Sequence, residues 1–361
     1  MIVIGGGLVG SAIAYGLQRK GVQTLMLDEG DIAFRAARGN FGLIWVQSKG
    51  IHFPPYARWT WQSAQMWAEL DAELRDVTSA KLDYLRPGGV EICLNPEDLN
   101  DLAAELKTLH THAPHVKYDM LDRHELAKLL PGLGQNIAGG SYSTADGHVN
   151  PLALLRALHQ GFIAKGGQII SGETVAEINH HADSFAITTQ AARHSAARLV
   201  IAAGLGTQKL AAMVDLHVPV RPVRGQNLIT ERLQPFLRYP TGIIRQTAEG
   251  TVQIGASSEE VGMDESTSPT ILASLAADAV RVFPHLQHAR IVRSWGALRT
   301  MTPDGYPIYM QSITCPGASA AVCHSGVTLA AAHVLTLAPA IADGTLPQDT
   351  AAMTSERFAD V

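Results

Sequence analysis

Three glycines, Gly5, Gly7 and Gly10, stand directly after the apolar run Ile2-Val3-Ile4. In that spacing each has a separate physical task. Gly5 permits a tight turn out of a strand, Gly7 leaves the backbone open to a pyrophosphate, and Gly10 lets the following helix pack close to the strand. Leu8 and Val9 then open the helix, whose free N–H groups and positive dipole end suit phosphate. Asp28 follows Gly10 by 18 residues (28 − 10), at the end of a second apolar run, where a carboxylate can accept hydrogen bonds from an adenosine ribose. Glu29 is the neighbouring alternative. The pattern predicts dinucleotide binding, and by itself it does not separate FAD from NAD.

Other residues with chemistry to offer are less ordered. His110, His112 and His115 lie close together, and His180 and His181 are adjacent. Metal binding needs convergent ligands, and these stretches read as polar loops, so a solvated surface and no metal site are expected. The three cysteines, Cys93, Cys315 and Cys323, contain no Cys-x-x-Cys pair, and their odd number speaks against a disulfide framework. A reducing, cytoplasmic setting is the default expectation.

Elements must hold these residues in place. The chain has 361 residues, 46% hydrophobic and 17% charged, enough for a large core and for about two domains. The net charge of −5 and the lack of a basic run exclude nucleic acid as an expected partner. No signal peptide is apparent before the first strand, which is expected to be very short. No uncharged apolar run approaches the roughly 20 residues of a membrane span.

A helix is predicted over Leu8–Lys20, with Val9, Ile13 and Leu17 on one face and the small residues Gly10, Ala14 and Gly16 allowing close packing. The second strand covers Thr24–Leu27. The chain then leaves regular strand–helix alternation for a turn-rich segment, Arg35–Gly50, where a nicotinamide dehydrogenase usually continues it. Further helices are predicted over Tyr56–Asp76, Pro151–Lys165 and Ser268–Phe283, and a buried one from Val327 to Ala338, before Pro339. Strands are predicted over Gln168–Ile178, Phe185–Thr189, Leu199–Ala202, Gln226–Thr230 and Thr251–Ile254. Nucleotide-type elements therefore recur at the start, middle and end, with strand-rich material between them.

Several segments in order resemble the D-amino acid oxidase family of flavoenzymes, which includes glycine oxidase and sarcosine oxidase. They are Val3-Ile4-Gly5-Gly6-Gly7-Leu8-Val9-Gly10, Leu199-Val200-Ile201-Ala202-Ala203-Gly204, Arg224-Gly225-Gln226, Leu298-Arg299 with Thr302-Pro303-Asp304-Gly305-Tyr306-Pro307, and His324-Ser325-Gly326-Val327-Thr328-Leu329. The segment Gly39-Asn40-Phe41-Gly42-Leu43-Ile44, with Ser48-Lys49-Gly50 and Pro55-Tyr56-Ala57, is most similar to flavin-bearing β subunits. These belong to opine oxidases, D-hydroxyproline dehydrogenases and hydrogen cyanide synthase.

The resemblance implies an α/β fold: a Rossmann-like FAD-binding domain (1–84, 145–212 and 296–361) interleaved with a smaller antiparallel-sheet substrate domain (85–144 and 213–295). It implies extended FAD, with Gly5, Gly7, Leu8, Val9, Gly10, Asp28 and Glu29 on the ADP half. Val175 falls against adenine, Ala203 and Gly204 at the cofactor, and Asn40, Phe41 and Gly42 near the flavin. Gly326, Val327 and Thr328 fall at the pyrimidine side of the ring, where the positive end of a helix would favour a reduced, anionic flavin. The cysteine that tethers flavin in some relatives would lie in the Arg299–Pro307 stretch. That stretch has none, so non-covalent FAD is expected.

Arg299 is implied to hold the carboxylate of an amino acid over the flavin, and its planar fork suits that task. Thr300 follows it where the family often has proline. Hydride loss from the α C–H to flavin N5 leaves an imine, a reaction that asks chiefly for positioning. The amine must be neutral when hydride leaves, and Lys49 and His52 are the candidate bases nearby.

The expected activity is oxidation of a secondary amino acid or opine, such as D-hydroxyproline or an octopine- or nopaline-like compound. The expected partners are an α subunit and a small cysteine-containing electron-transfer subunit, with any membrane association through those partners. The alternatives are a stand-alone glycine- or sarcosine-oxidase-like enzyme making hydrogen peroxide, a non-catalytic FAD-binding subunit, and a nicotinamide dehydrogenase.

Overall fold

Ile2–Ile4 is a strand in which every residue is buried, the pattern of a strand covered on both faces. In the computed structural model, which describes residues 1–30 and 36–359, it is an inner strand of a six-stranded sheet. Arg35, which opens the expected turn-rich segment, lies outside the described residues. The sheet order is Ile308–Gln311, Ala318–Val322, Leu199–Ile201, Ile2–Ile4, Leu25–Asp28 and Gln168–Ser171. All neighbours are parallel except the edge strand Ile308–Gln311. Val3 pairs with both Val200 and Met26, so the first strand sits between segments far apart in the chain.

One face of this sheet carries the helices Leu8–Arg19, Pro54–Thr78 and Pro151–Ala164 and the helical stretch 330–342. Ile13, Leu17, Trp59, Trp67, Phe162 and Leu337 are buried together there. The small residues expected to bring helices close do so: a Cβ on Gly16 would stand 2.5 Å from the Val334 carbonyl oxygen. The other face packs on a three-stranded antiparallel sheet (Val175–His181, Ser184–Thr189, Arg193–Ala196) and the helix Thr207–Ala212, around Phe185, Ile187 and Leu210.

A separate core, with Ile254, Val282 and Phe283, lies under a four-stranded antiparallel sheet of Arg221–Arg232, Ile244–Gln246, Thr251–Gly255 and Ile291–Met301. The three-stranded sheet Gly89–Cys93, Gly139–Ser143 and Asp119–Asp122 adjoins it through the Val90 N–H, which donates to the Pro240 carbonyl. The fold is α/β, with a parallel sheet and separate antiparallel sheets, as the sequence implied.

Several local expectations are corrected. The strand predicted over Gln168–Ile178 is two strands in different sheets, broken where Gly172 takes φ +84°. The last helix does not stop at Pro339 but continues to Ala342. A π-helical segment, His333–Leu337, precedes the proline and changes the hydrogen-bond phase where its missing N–H would break the ladder. His110 and His112 belong to the final turn of the helix Pro96–His112, not to a loop, because Leu102, Leu106 and Leu109 give that segment a buried face. The strand predicted over Gln226–Thr230 lengthens to Arg221–Arg232, since Ile291–Met301 pairs along almost all of it.

Candidate active site

The glycine turn forms as its residue types dictate. Gly5 has φ +109°, and a Cβ there would lie 2.3 Å from the Ala202 carbonyl oxygen. A Cβ on Gly10 would lie 1.9 Å from the Gly5 carbonyl oxygen. A Cβ on Gly7 would meet nothing within 4 Å. Gly5 and Gly10 are therefore glycine for internal packing, and Gly7 faces open space. The helix that follows, Leu8–Arg19, has no side-chain hydrogen bond capping its start. Its first N–H groups are left for a ligand, which a phosphate satisfies. Asp28 accepts from the Gly6 N–H at 2.7 Å and the Gly30 N–H at 2.8 Å, fixing the turn to the second strand.

That open space is a cavity of about 130 Å³ lined by Gly5, Gly7, Leu8, Val9, Asp28, Glu29, Asn40, Val175, Ala203, Gly204 and Gly326. Gly10 and Gly42 do not line it. Gly42 serves the backbone instead, with φ +88° and a hypothetical Cβ 2.4 Å from the Val149 carbonyl oxygen. A second cavity, of about 350 Å³, is lined by Asn40, Phe41, Lys49, Arg299, Val327 and Thr328. Ala36, Asn40, Thr300, Cys323 and His324 line both, so the two spaces adjoin. His52 is exposed and lines neither.

At the junction, Gly326–Leu329 forms a turn closed by the Leu329 N–H on the Ser325 carbonyl, 3.0 Å. The N–H groups of Gly326, Val327 and Thr328 donate to no acceptor among the described residues. The turn is anchored from behind: the Thr328 carbonyl accepts from Ser63 Oγ at 2.7 Å and Trp67 Nε1 at 3.0 Å, and the Thr328 hydroxyl accepts from the Trp45 N–H. Three free donors on an anchored turn suit an acceptor edge carrying negative charge. Together with the uncapped helix and the space at Gly7, they fit FAD along its length.

Arg299 lies on Ile291–Met301, opposite Val223. Its guanidinium rests over Gly225, where a Cβ would stand 2.5 Å from Nη2 and 2.7 Å from Cζ. Its hydrogen bond is from Nη1 to the Arg224 carbonyl, 3.4 Å, and no carboxylate lies within 4 Å of it among the described residues. Burial works against its charge and the Glu259 charge opposes that shift. A cation so placed, with most of its five donors unused, is prepared for an anion. Gly225→Ala should push the guanidinium aside and lower kcat/KM about 10- to 100-fold with the flavin still bound, measured by anaerobic flavin reduction.

Sequence reasoning missed three residues here. Glu91, from Gly89–Cys93, lines the larger cavity, and burial raises its carboxyl to about 7, with the Asp146 charge adding to the rise and Lys49 opposing it. Asp146 is buried and also raised to about 7 by burial; its Oδ1 accepts from the N–H groups of Val46 and Gln47 and so holds the loop that carries Lys49. His324 lines both cavities, and burial lowers it to about 3, so it is neutral. Burial lowers Lys49 as well, against the pull of Glu91. A lone Glu91 between Val90 and Ile92 carries no motif that could have marked it. His324 stands inside a quoted segment but had no role attached.

The family model for FAD dependent oxidoreductases, DAO, matches residues 1–343. The chain is 40% identical to one subunit of the opine oxidase of Rhizobium meliloti, over 99% of this chain and 97% of that protein. It is 39% identical to the corresponding opine oxidase subunit of Agrobacterium tumefaciens (strain Ach5), with the same coverage. Its fold is similar to the crystal structure of glycine oxidase from Geobacillus kaustophilus, with a TM-score of 0.90, 23% identity, and 98% and 97% of the two chains covered.

Proposed function

Because the chain belongs to the DAO family of FAD-dependent oxidoreductases, we propose that it oxidises the C–N bond of a secondary amino acid or opine. D-hydroxyproline and octopine- or nopaline-like compounds are the classes intended. The observation that carries this reading is Arg299, a cation without an ionic partner among the described residues, in a cavity that adjoins the one along the glycine turn. FAD, when bound, supplies the acceptor for the hydride that leaves the α carbon.

The chain's own residues do the rest. Gly7 and the start of Leu8–Arg19 would hold the pyrophosphate, Asp28 or Glu29 the ribose, and Val175 the adenine side. Asn40, Phe41 and the free N–H groups of Gly326–Thr328 would border the flavin. Arg299 would fix the carboxylate, and with it the direction of the α C–H. Lys49, whose burial favours the neutral amine, would accept the proton of the substrate ammonium. His52, exposed and away from the cavity, is the weaker candidate for that task. The division into an FAD-binding part (1–84, 145–212, 296–361) and a substrate part (85–144, 213–295) belongs to this proposal.

The subunit names of the two opine oxidase relatives support a complex with an α subunit and a small cysteine-containing electron-transfer subunit. No helix among the described residues is long and apolar enough to cross a membrane. We place the enzyme in the cytoplasm, with any membrane association through those partners.

The test is anaerobic reduction of the bound flavin by opines, proline derivatives, glycine, sarcosine and D-amino acids. Bleaching by secondary amino acids supports the proposal, and bleaching by none of the panel sinks it. Rapid turnover of the lone chain with oxygen, giving peroxide, would favour the stand-alone oxidase instead. FAD is proposed to be non-covalent, since Cys93, Cys315 and Cys323 are all buried free thiols and burial pushes the Cys323 thiol up to about 12. Acid precipitation should then leave the yellow colour in the supernatant.

A further inference from the structure

Three charged side chains line the larger cavity: Arg299, Lys49 and Glu91. They come from three separate parts of the fold, and each has unused capacity. Among the described residues, neither Lys49 Nζ nor the Glu91 carboxylate makes a hydrogen bond, and Arg299 makes the single long one to the Arg224 carbonyl. No two of the three approach within the 4.0 Å of an ion pair. Opposite charges that share a cavity without touching leave a gap that a ligand of complementary charge can close. The wall around Glu91 is also kept bare. A Cβ on Gly242 would stand 2.5 Å from Glu91 Oε1 and 2.8 Å from Oε2.

We propose that Glu91 selects the substrate by taking a cationic group, a guanidinium or an ammonium, on the arm remote from the reacting C–H. Arg299 and Lys49 take carboxylates. The wall then carries two cations and one anion, a net +1. A substrate with two carboxylates, one cation and a neutral secondary amine carries −1 and matches it group by group. This narrows the substrate class to N-carboxyalkyl derivatives of basic amino acids, and it rests on the reading of the site as that of a secondary-amine oxidoreductase. D-hydroxyproline has no such arm and would leave Glu91 without a partner.

The test compares two substrates of nearly equal shape, N-(1-carboxyethyl)-arginine and N-(1-carboxyethyl)-citrulline, whose arms end in a charged guanidinium and a neutral ureido group. The holoenzyme is mixed with each anaerobically, giving kcat/KM for flavin reduction, and the dissociation constants are read from the flavin difference spectrum. The native enzyme should favour the guanidino compound by about tenfold or more, the size of a charge-assisted hydrogen bond in a desolvated site. Glu91→Gln should bring that ratio close to one. Gly242→Ala, which crowds the carboxylate without removing it, should lower the ratio too and serves if Glu91→Gln fails to hold flavin.

A native ratio near one overturns the proposal, as does a ratio unchanged in both variants. A fall of both substrates by the same factor also overturns it, because that is what a merely structural Glu91 would give. If uncharged secondary amino acids reduce the flavin as fast as the guanidino compound, the selection by Glu91 fails while the amine oxidoreductase reading stands. If no amine reduces the flavin, both fall.

Discussion

Arg299→Ala is expected to lower kcat/KM for carboxylate-bearing amines about 100- to 1,000-fold, the size of losing a desolvated, hydrogen-bonded charge partner. The flavin should remain bound, because Arg299 lines the larger cavity and not the one along the glycine turn. The fold should also survive. Arg299 has one long hydrogen bond and no ion pair among the described residues, so its removal leaves no carboxylate stranded and takes away a cation that burial disfavours. Arg299→Lys should recover only a small part of the loss, since an ammonium is a point charge without the planar fork that sets orientation. Anaerobic stopped-flow reduction gives rate and affinity separately. An unchanged dissociation constant and rate in Arg299→Ala would remove this residue from the site.

The second large effect separates two glycines of one motif. Gly10→Ala places a methyl 1.9 Å from the Gly5 carbonyl oxygen, which only a backbone shift can relieve. It should destabilise the apoprotein by about 3 kcal/mol or more, as overpacking against rigid backbone does. Gly7→Ala places its methyl in open space, at φ −74°, a conformation alanine adopts freely. Its apoprotein should melt like the native one, yet its methyl occupies the path of the pyrophosphate. FAD affinity should fall about 10- to 100-fold, as expected when a methyl group overpacks a close contact. Thermal unfolding of the apoproteins and FAD titration read the two effects apart. Equal FAD affinity in Gly7→Ala would mean the phosphates pass elsewhere.

The sequence and the structure agree where the information is local. The run from Ile2 to Gly10 encodes strand, turn and helix in consecutive residues, and the conformational demands of glycine fix the outcome with little help from elsewhere. Asp28 could be read for the same reason, since it ends the next strand and meets the Gly6 N–H across one short βαβ unit. Local reading failed where local signals compete with packing. The helix passes Pro339 because a π segment prepares for it, and Gln168–His181 divides between two sheets at Gly172 although its sequence reads as one strand.

The larger cavity belongs to tertiary structure. Its three charges sit at positions 49, 91 and 299, on a loop, a strand of one antiparallel sheet and a strand of another. Whether Arg299 meets a substrate depends on the register that sets it opposite Val223 and lays it over Gly225, and a slip of one residue would turn it to the opposite face. Whether Lys49 is buried depends on Asp146, which holds the Val46 and Gln47 amides from about a hundred residues away. The sequence alone determined a dinucleotide turn and, by resemblance, the cofactor and the class of reaction. Only the folded chain decided which charges share a cavity, because strand register and long-range packing set that, and neither is written in any short run of residues.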